Sequence, residues 1–152
     1  MALPPSFRYL PSGIYVDASL DEDGVGPNLR GKTDSDVDGV TVTVIDGRGI
    51  RSKREFLRAW ADTFNFPDYF GMNWDAFADS APDLSGLPPG DHLVIYDDFT
   101  PFAEAAPEDW VVALRIFPEV SASWQSAPRR VIVFLRGPLA LAPNLPLAFS
   151  SI

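Results

Sequence analysis

A chain of 152 residues that is 46% apolar has the length of one domain and enough apolar side chain for a core, which excludes general disorder. It holds no cysteine and one histidine, His92, so disulfide scaffolds, thiolate metal sites, cysteine nucleophiles and histidine-rich metal cages are all excluded. A net charge of −9, from 21 acids against 12 bases, argues against a general affinity for nucleic acid or anionic membrane. Met1–Leu10 lacks a cationic stretch before an apolar run, and no apolar stretch approaches the ~20 residues of a membrane helix. A cytoplasmic protein without a signal peptide is therefore expected.

Phe7–Leu10 and Ile14–Val16 flank Pro11-Ser12-Gly13, a pattern that allows an N-terminal β-hairpin. Asp17–Gly39 is polar, rich in Gly and Asp, and reads as loop. Val40–Ile45 is β-branched throughout and predicts a strand, closed by the turn signal Asp46-Gly47. Ser52-Lys53-Arg54-Glu55 fits a capping box, with Ser52 as N-cap and Glu55 returning to its amide. Phe56, Leu57, Trp60 and Phe64 then share one face of a helix over Lys53–Phe64. The bases at the start of that helix oppose its dipole, and nothing local explains them. Pro67 and Gly71 interrupt, with Tyr69 and Phe70 in the connecting loop. Asn73 caps a short second helix running to about Ser80 and stopped by Pro82. Leu93–Tyr96 is a second strand. Pro107, Glu108 and Asp109 open a third helix, in which Trp110, Ala113, Leu114, Phe117, Val120 and Trp124 keep helical spacing and Pro118 predicts a kink. Val131–Leu135 is a continuous apolar run, the mark of a strand covered on both faces. From Gly137 the chain is Pro- and Leu-rich without period and is expected as coil lying over apolar surface. Strand, helix, helix, strand, helix, strand implies an α/β fold, a three-stranded parallel sheet covered by helices.

Charge is unevenly distributed. No lysine or arginine occurs from Ala59 to Leu114, where eleven acids fall, while Arg48, Arg51, Lys53, Arg54 and Arg58 cluster just before it. Such polarity suits a solvated face or a surface that attracts something positive. Asp34, Asp36, Asp38 and Gly39 match the opening of a calcium loop, but Ile45 stands where a bidentate glutamate is needed, so an acidic loop that holds no metal is expected. Asp97-Asp98 and Asp75/Asp79 are carboxylate pairs, yet acid/base catalysis needs one member buried beside a substrate cleft. His92 opens a strand and reads as structural. No glycine pattern resembles a nucleotide loop. No catalytic residue and no cofactor is expected. Asp75 and Asp79 are one helical turn apart, with Cβ atoms ~6 Å from each other, a spacing that costs the helix some stability unless a cation faces them. The aromatic segment from Tyr69 to Trp74 beside them has the make-up of a protein-binding patch.

The run Pro67-Asp-Tyr-Phe-Gly-Met-Asn-Trp-Asp-Ala-Phe-Ala-Asp79 resembles the central motif of the barstar family, P-x-Y-[YF]-G-x-N-x-D-A-x-x-D. The resemblance extends from about Val40 to Leu135 and includes the strand before the motif and the helix that opens at Ser52. It implies a barstar-like domain over 40–136, preceded by an extension, 1–39, and followed by a packed tail, 137–152. Members of that family inhibit secreted, guanyl-preferring ribonucleases of the barnase type from inside the cell. What the resemblance implies is an intracellular inhibitor, the immunity partner of a basic extracellular-type ribonuclease or toxin nuclease domain. Its contacts with that enzyme would be Tyr69, Asn73, Asp75 and Asp79, with Trp74 beside them and Glu119 from the third helix. Trp74 and Ala78 depart from the residues common at their positions. The alternatives are a barstar-fold module that binds another basic protein and, further off, an acid-dependent hydrolase.

Overall fold

A computed structural model describes residues 10–18, 35–37, 39–67 and 71–147. Among these residues five strands and four helices follow one another as β1 (Gly13–Asp17), β2 (Ser35–Val37), β3 (Val40–Asp46), α1 (Lys53–Phe64), α2 (Trp74–Ser80), β4 (Asp91–Asp97), α3 (Thr100–Ala105), α4 (Pro107–Trp124) and β5 (Val131–Arg136). They form one sheet in the order β1-β5-β4-β3-β2. Strands β3, β4, β5 and β1 are parallel and β2 runs antiparallel to β3. The fold is thus the expected helix-covered parallel sheet, extended by one strand on each side of the three that the apolar runs predict.

Both additions come from the segment before Val40. Ile14–Val16 is a strand, but its partner is β5, with Ile14 opposite Val133 and Val16 opposite Leu135. Of the expected hairpin, Phe7–Tyr9 lies outside the described residues. On its other edge β1 meets the tail, where Val16 N–H donates to the Pro146 carbonyl at 2.8 Å. Ser35–Val37 is strand where loop is expected; Asp34 and Asp38 lie outside the described residues. A three-residue edge strand carries too little pattern to be read from sequence.

Strands β4 and β5 read as apolar runs because both of their faces are buried, whereas β3 alternates, with Thr41 and Thr43 half-buried. On one face Ile14, Val16, Val94, Tyr96, Val131, Val133 and Leu135 pack with the inward residues of all four helices. An aromatic cluster fills this layer: Phe56 stacks on Phe102 at 4.9 Å between ring centroids, and Trp60 on Phe64 at 5.2 Å. On the other face Tyr15, Val42, Val44, Leu93, Ile95, Ile132 and Phe134 form a second cluster, against which Leu10 packs. At the C-terminal edge of the sheet Arg136 of β5 lies between Asp17 of β1 and Asp97 of β4, at 3.4 and 2.8 Å, all three buried.

Helix α1 starts and ends where expected. Ser52 Oγ accepts from the Glu55 amide at 3.1 Å. The reciprocal bond is shifted by one residue: Glu55 Oε1 accepts from the Arg51 amide at 2.9 Å, not from that of Ser52. Helix α4 continues through Pro118 to Trp124. Proline has no N–H, so the Leu114 carbonyl four residues earlier lacks its helical donor. Asn144 of the tail supplies one, Nδ2 donating at 3.2 Å. Where coil is expected, the described part of the tail, up to Leu147, has a turn of 3-10 helix over Leu139–Leu141. Ala142 and Leu145 are buried, and Trp110 Nε1 donates to the Leu141 carbonyl at 2.7 Å. Helix α3 carries only Phe102 and Ala103 as buried residues over six positions, and the sequence reading misses it. Among the described residues no helix is long and apolar enough to cross a membrane.

Candidate functional site

Helix α2 has seven residues, too few to be stable alone, so its order comes from tethers. Asn73 caps it: the side-chain oxygen accepts from the Ala76 amide at 2.7 Å, and Nδ2 donates to the Gly71 carbonyl at 3.3 Å. Met72, just before the cap, has φ 51°, a left-handed conformation that turns the chain into the helix. Phe77 is fully buried, edge-on to Trp60 at 5.3 Å. Trp74 lays its ring against Phe56 and Phe77 at 5.5 and 5.7 Å, and its Nε1 donates to Asp109 of α4 at 3.1 Å. At the other end Trp124 of α4 donates from Nε1 to the Ala81 carbonyl at 2.9 Å. The chain leaves the helix there, one residue before Pro82. Two indoles, one from each helix, therefore pin α2 to α4 at both ends.

With Phe77 fixed inward, the 100° step per residue puts Asp75 and Asp79 on the opposite side. Both are exposed, and neither makes an ion pair or side-chain hydrogen bond among the described residues. Asn73 is exposed beside them. Asp79 also lines a cleft of about 240 Å³ with Phe64, Phe66, Asp83 and Ser85. The Ser85 amide donates to Asp83 at 2.9 Å and holds that carboxyl below its usual range, so a second full negative charge stands on the rim. Exposed acids Asp62, Glu104 and Glu108 belong to the same arginine- and lysine-free stretch.

The other predicted residues fall as follows. Tyr69 lies outside the described residues. Trp74 is half-buried and engaged with α4. Glu119 is exposed on α4, and the helix runs unbroken past Pro118 beneath it. Arg115 stands one turn before Glu119 on the same exposed face. Asp109 is the functional-site residue that sequence reasoning misses: its position predicts a helix-start acid, and only the tertiary fold shows it holding Trp74.

The competing chemistries find less. Asp97 of the Asp97-Asp98 pair is buried but bonded to Arg136 Nη1 at 2.8 Å. His92 is buried, and its Nε2 lies 2.8 Å from the Pro88 carbonyl; a carbonyl only accepts, so that nitrogen carries the proton. Asp75 and Asp79 stand in solvent on a helix, without the burial that makes a carboxyl a general acid at neutral pH.

Comparison with known proteins gives one family. No curated protein matches the chain. The family model described as Barstar (barnase inhibitor) matches residues 40–136, from the first residue of β3 to the last of β5. That span is well over half of the sequence and contains α2, its cap and both of its tethers, and the chain belongs to the barstar family.

Proposed function

We propose that this chain is an inhibitor of a basic ribonuclease of the barnase type and that α2 blocks the enzyme's active site. The observation that carries the reading is the pair Asp75 and Asp79, exposed and unpaired among the described residues on a helix fixed at both ends. Ribonuclease sites are cationic because they grip phosphates. Two carboxylates one turn apart on a rigid helix offer that site anions without a scissile bond. Holding the helix still before association removes part of the ordering cost of binding. The surrounding acids, within a chain of net charge −9, steer a cationic enzyme towards the helix and make its arrival salt-dependent. In this scheme Asn73 sets the start of the helix, Trp74 anchors it, and Tyr69 and Glu119 contribute further contacts. The protein works in the cytoplasm, where it protects the cell from its own toxic nuclease.

The test is titration of the purified chain into a panel of small cationic ribonucleases, barnase included, with RNA cleavage as the readout. Stoichiometric silencing of at least one of them is expected, with loss of the effect in Asp75→Ala/Asp79→Ala. Inhibition that survives the double substitution undiminished contradicts the assigned face. Failure of the parent chain to silence any enzyme of the panel contradicts the function.

A further inference from the structure

The cationic start of α1 has no structural explanation among the described residues. Arg51, Arg54 and Arg58 are exposed, and none makes a side-chain ion pair among the described residues. In the first turn, Lys53 and Arg54 oppose the helix dipole. A chain with an excess of acids has kept Lys53 and Arg54 where they weaken a helix, and has left Arg54 and Arg58 without an ion pair among the described residues.

The geometry says where they lead. Arg54, Arg58 and Ala61 lie at i, i+4 and i+7, one row along the flank of α1 beside its buried face of Phe56, Leu57, Trp60 and Phe64, and the C-cap Asn65 follows. The row ends in a cleft of about 360 Å³ lined by Arg58, Asp62, Asn65, Phe66, Pro67 and Met72. Met72 adjoins Asn73, the cap of α2. Asn65, Phe66 and Pro67 also line the cleft that holds Asp79. The basic row and the acidic helix are therefore two parts of one continuous surface, joined across the Asn65–Pro67 segment.

We infer that Arg54 and Arg58 form a second contact of the same docking face, which reads an acidic patch beside the cationic active site of the target nuclease. This rests on the inhibitor reading and adds a specificity element to it. The acidic helix alone would attract any cationic ribonuclease. A row of arginines at its edge favours enzymes with a carboxylate opposite and repels those whose positive surface continues there, since like charges brought together across an interface are strongly unfavourable. Asp62 inside the same cleft argues for a protein surface of mixed charge and against RNA as the occupant.

The test exploits a difference in sign. Arg54→Glu/Arg58→Glu takes the net charge from −9 to −13, two units for each reversal. If only long-range attraction to a cationic enzyme mattered, this variant would inhibit faster and more tightly. The inference expects the opposite: inhibition of the ribonuclease that the parent chain silences weakens by about tenfold or more. Arg54→Lys/Arg58→Lys should recover most of it. Arg54→Glu favours the first turn of α1, whereas Arg58→Glu adds a like charge beside Glu55 and Asp62, so the circular dichroism and urea unfolding of the variant are compared with those of the parent before inhibition is read. Unchanged or tighter inhibition by the reversed variant overturns the inference and leaves the acidic face intact. Retention of a labelled single-stranded RNA by the parent chain, lost on reversal, overturns it in favour of RNA. A parent chain that inhibits nothing in the panel overturns both this inference and the function on which it rests.

Discussion

Asp79 should weaken the fold that carries it. Substituting Asp79→Asn keeps the shape of the side chain and removes its charge. Two unit charges ~6 Å apart in bulk water repel by about 0.7 kcal/mol. Salt and side-chain freedom bring a helical pair of this spacing down to ~0.2–0.5 kcal/mol. Asp79 also sits one residue from the end of α2, where a carboxylate opposes the helix dipole by ~0.3–1 kcal/mol, with the lower figure suited to seven residues. The exposed carboxylate has no partner among the described residues to offset these terms. Asp79→Asn should therefore stabilise the chain by about 0.5–1 kcal/mol, and by less at high salt. Asp75→Asn should not, because Asp75 lies in the first turn, where its charge suits the dipole. Urea unfolding followed by the fluorescence of the four tryptophans reads both. The same Asp79→Asn should weaken ribonuclease inhibition by at least about thirtyfold, the equivalent of ~2 kcal/mol for cations left buried and unpaired. A variant more stable than its parent yet a poorer inhibitor is the outcome expected of a residue kept for binding. Destabilisation, or unchanged inhibition, refutes the reasoning.

Two further substitutions test the scaffold. Trp74→Phe keeps a ring against Phe56 and Phe77 but removes the 3.1 Å bond to Asp109, a loss of about 1 kcal/mol for a half-buried bond to a charged acceptor. Hydrogen exchange should rise in α2 before the rest of the molecule, and inhibition should weaken about fivefold, the equivalent of that ~1 kcal/mol; exchange that rises uniformly would show that α2 does not depend on this tether. Asn144→Ala should cost ~0.5–1 kcal/mol by leaving the Leu114 carbonyl without its donor. In a Pro118→Ala background, which restores the helical N–H, it should cost much less, and additivity in a urea-denaturation cycle would show that the two residues are not coupled.

What the sequence displays of the fold is whatever local chemistry decides. The β-branched run Val40–Ile45, the cap at Ser52 and the cap at Asn73 each mark where an element begins with no help from distant residues. What it hides is pairing. Ile14–Val16 shows a strand, but nothing within it says that its neighbour is β5, more than a hundred residues later, with Ser121 Oγ accepting from the Ile14 amide at 2.9 Å. Pro118 displays the carbonyl that it strands; the asparagine that satisfies it lies in a tail with no period. Helix α3 is hidden for a different reason. Six residues with two inward positions contain less than two turns of pattern, and the bond from the Thr100 amide to Asp98 at 3.0 Å that helps to start it looks like any acidic turn.

The site divides along the same line. That Asp75 and Asp79 face away from Phe77 follows from helical period alone, so the acidic half of the surface is legible from a seven-residue window. That the helix is held still is not, because Asp109 and Trp124 come from another element. Nor is the basic half, since Arg58 reaches the neighbourhood of Asn73 only through a cleft assembled from α1, the segment after it and Met72. The features that sequence logic finds unaccountable are charges on exposed helix faces: two aspartates that repel, and bases at a helix start that they disfavour. Both lie on the same surface. Local costs that the described residues do not recover, gathered at one place, are what a sequence shows when part of its energetics is completed by another molecule.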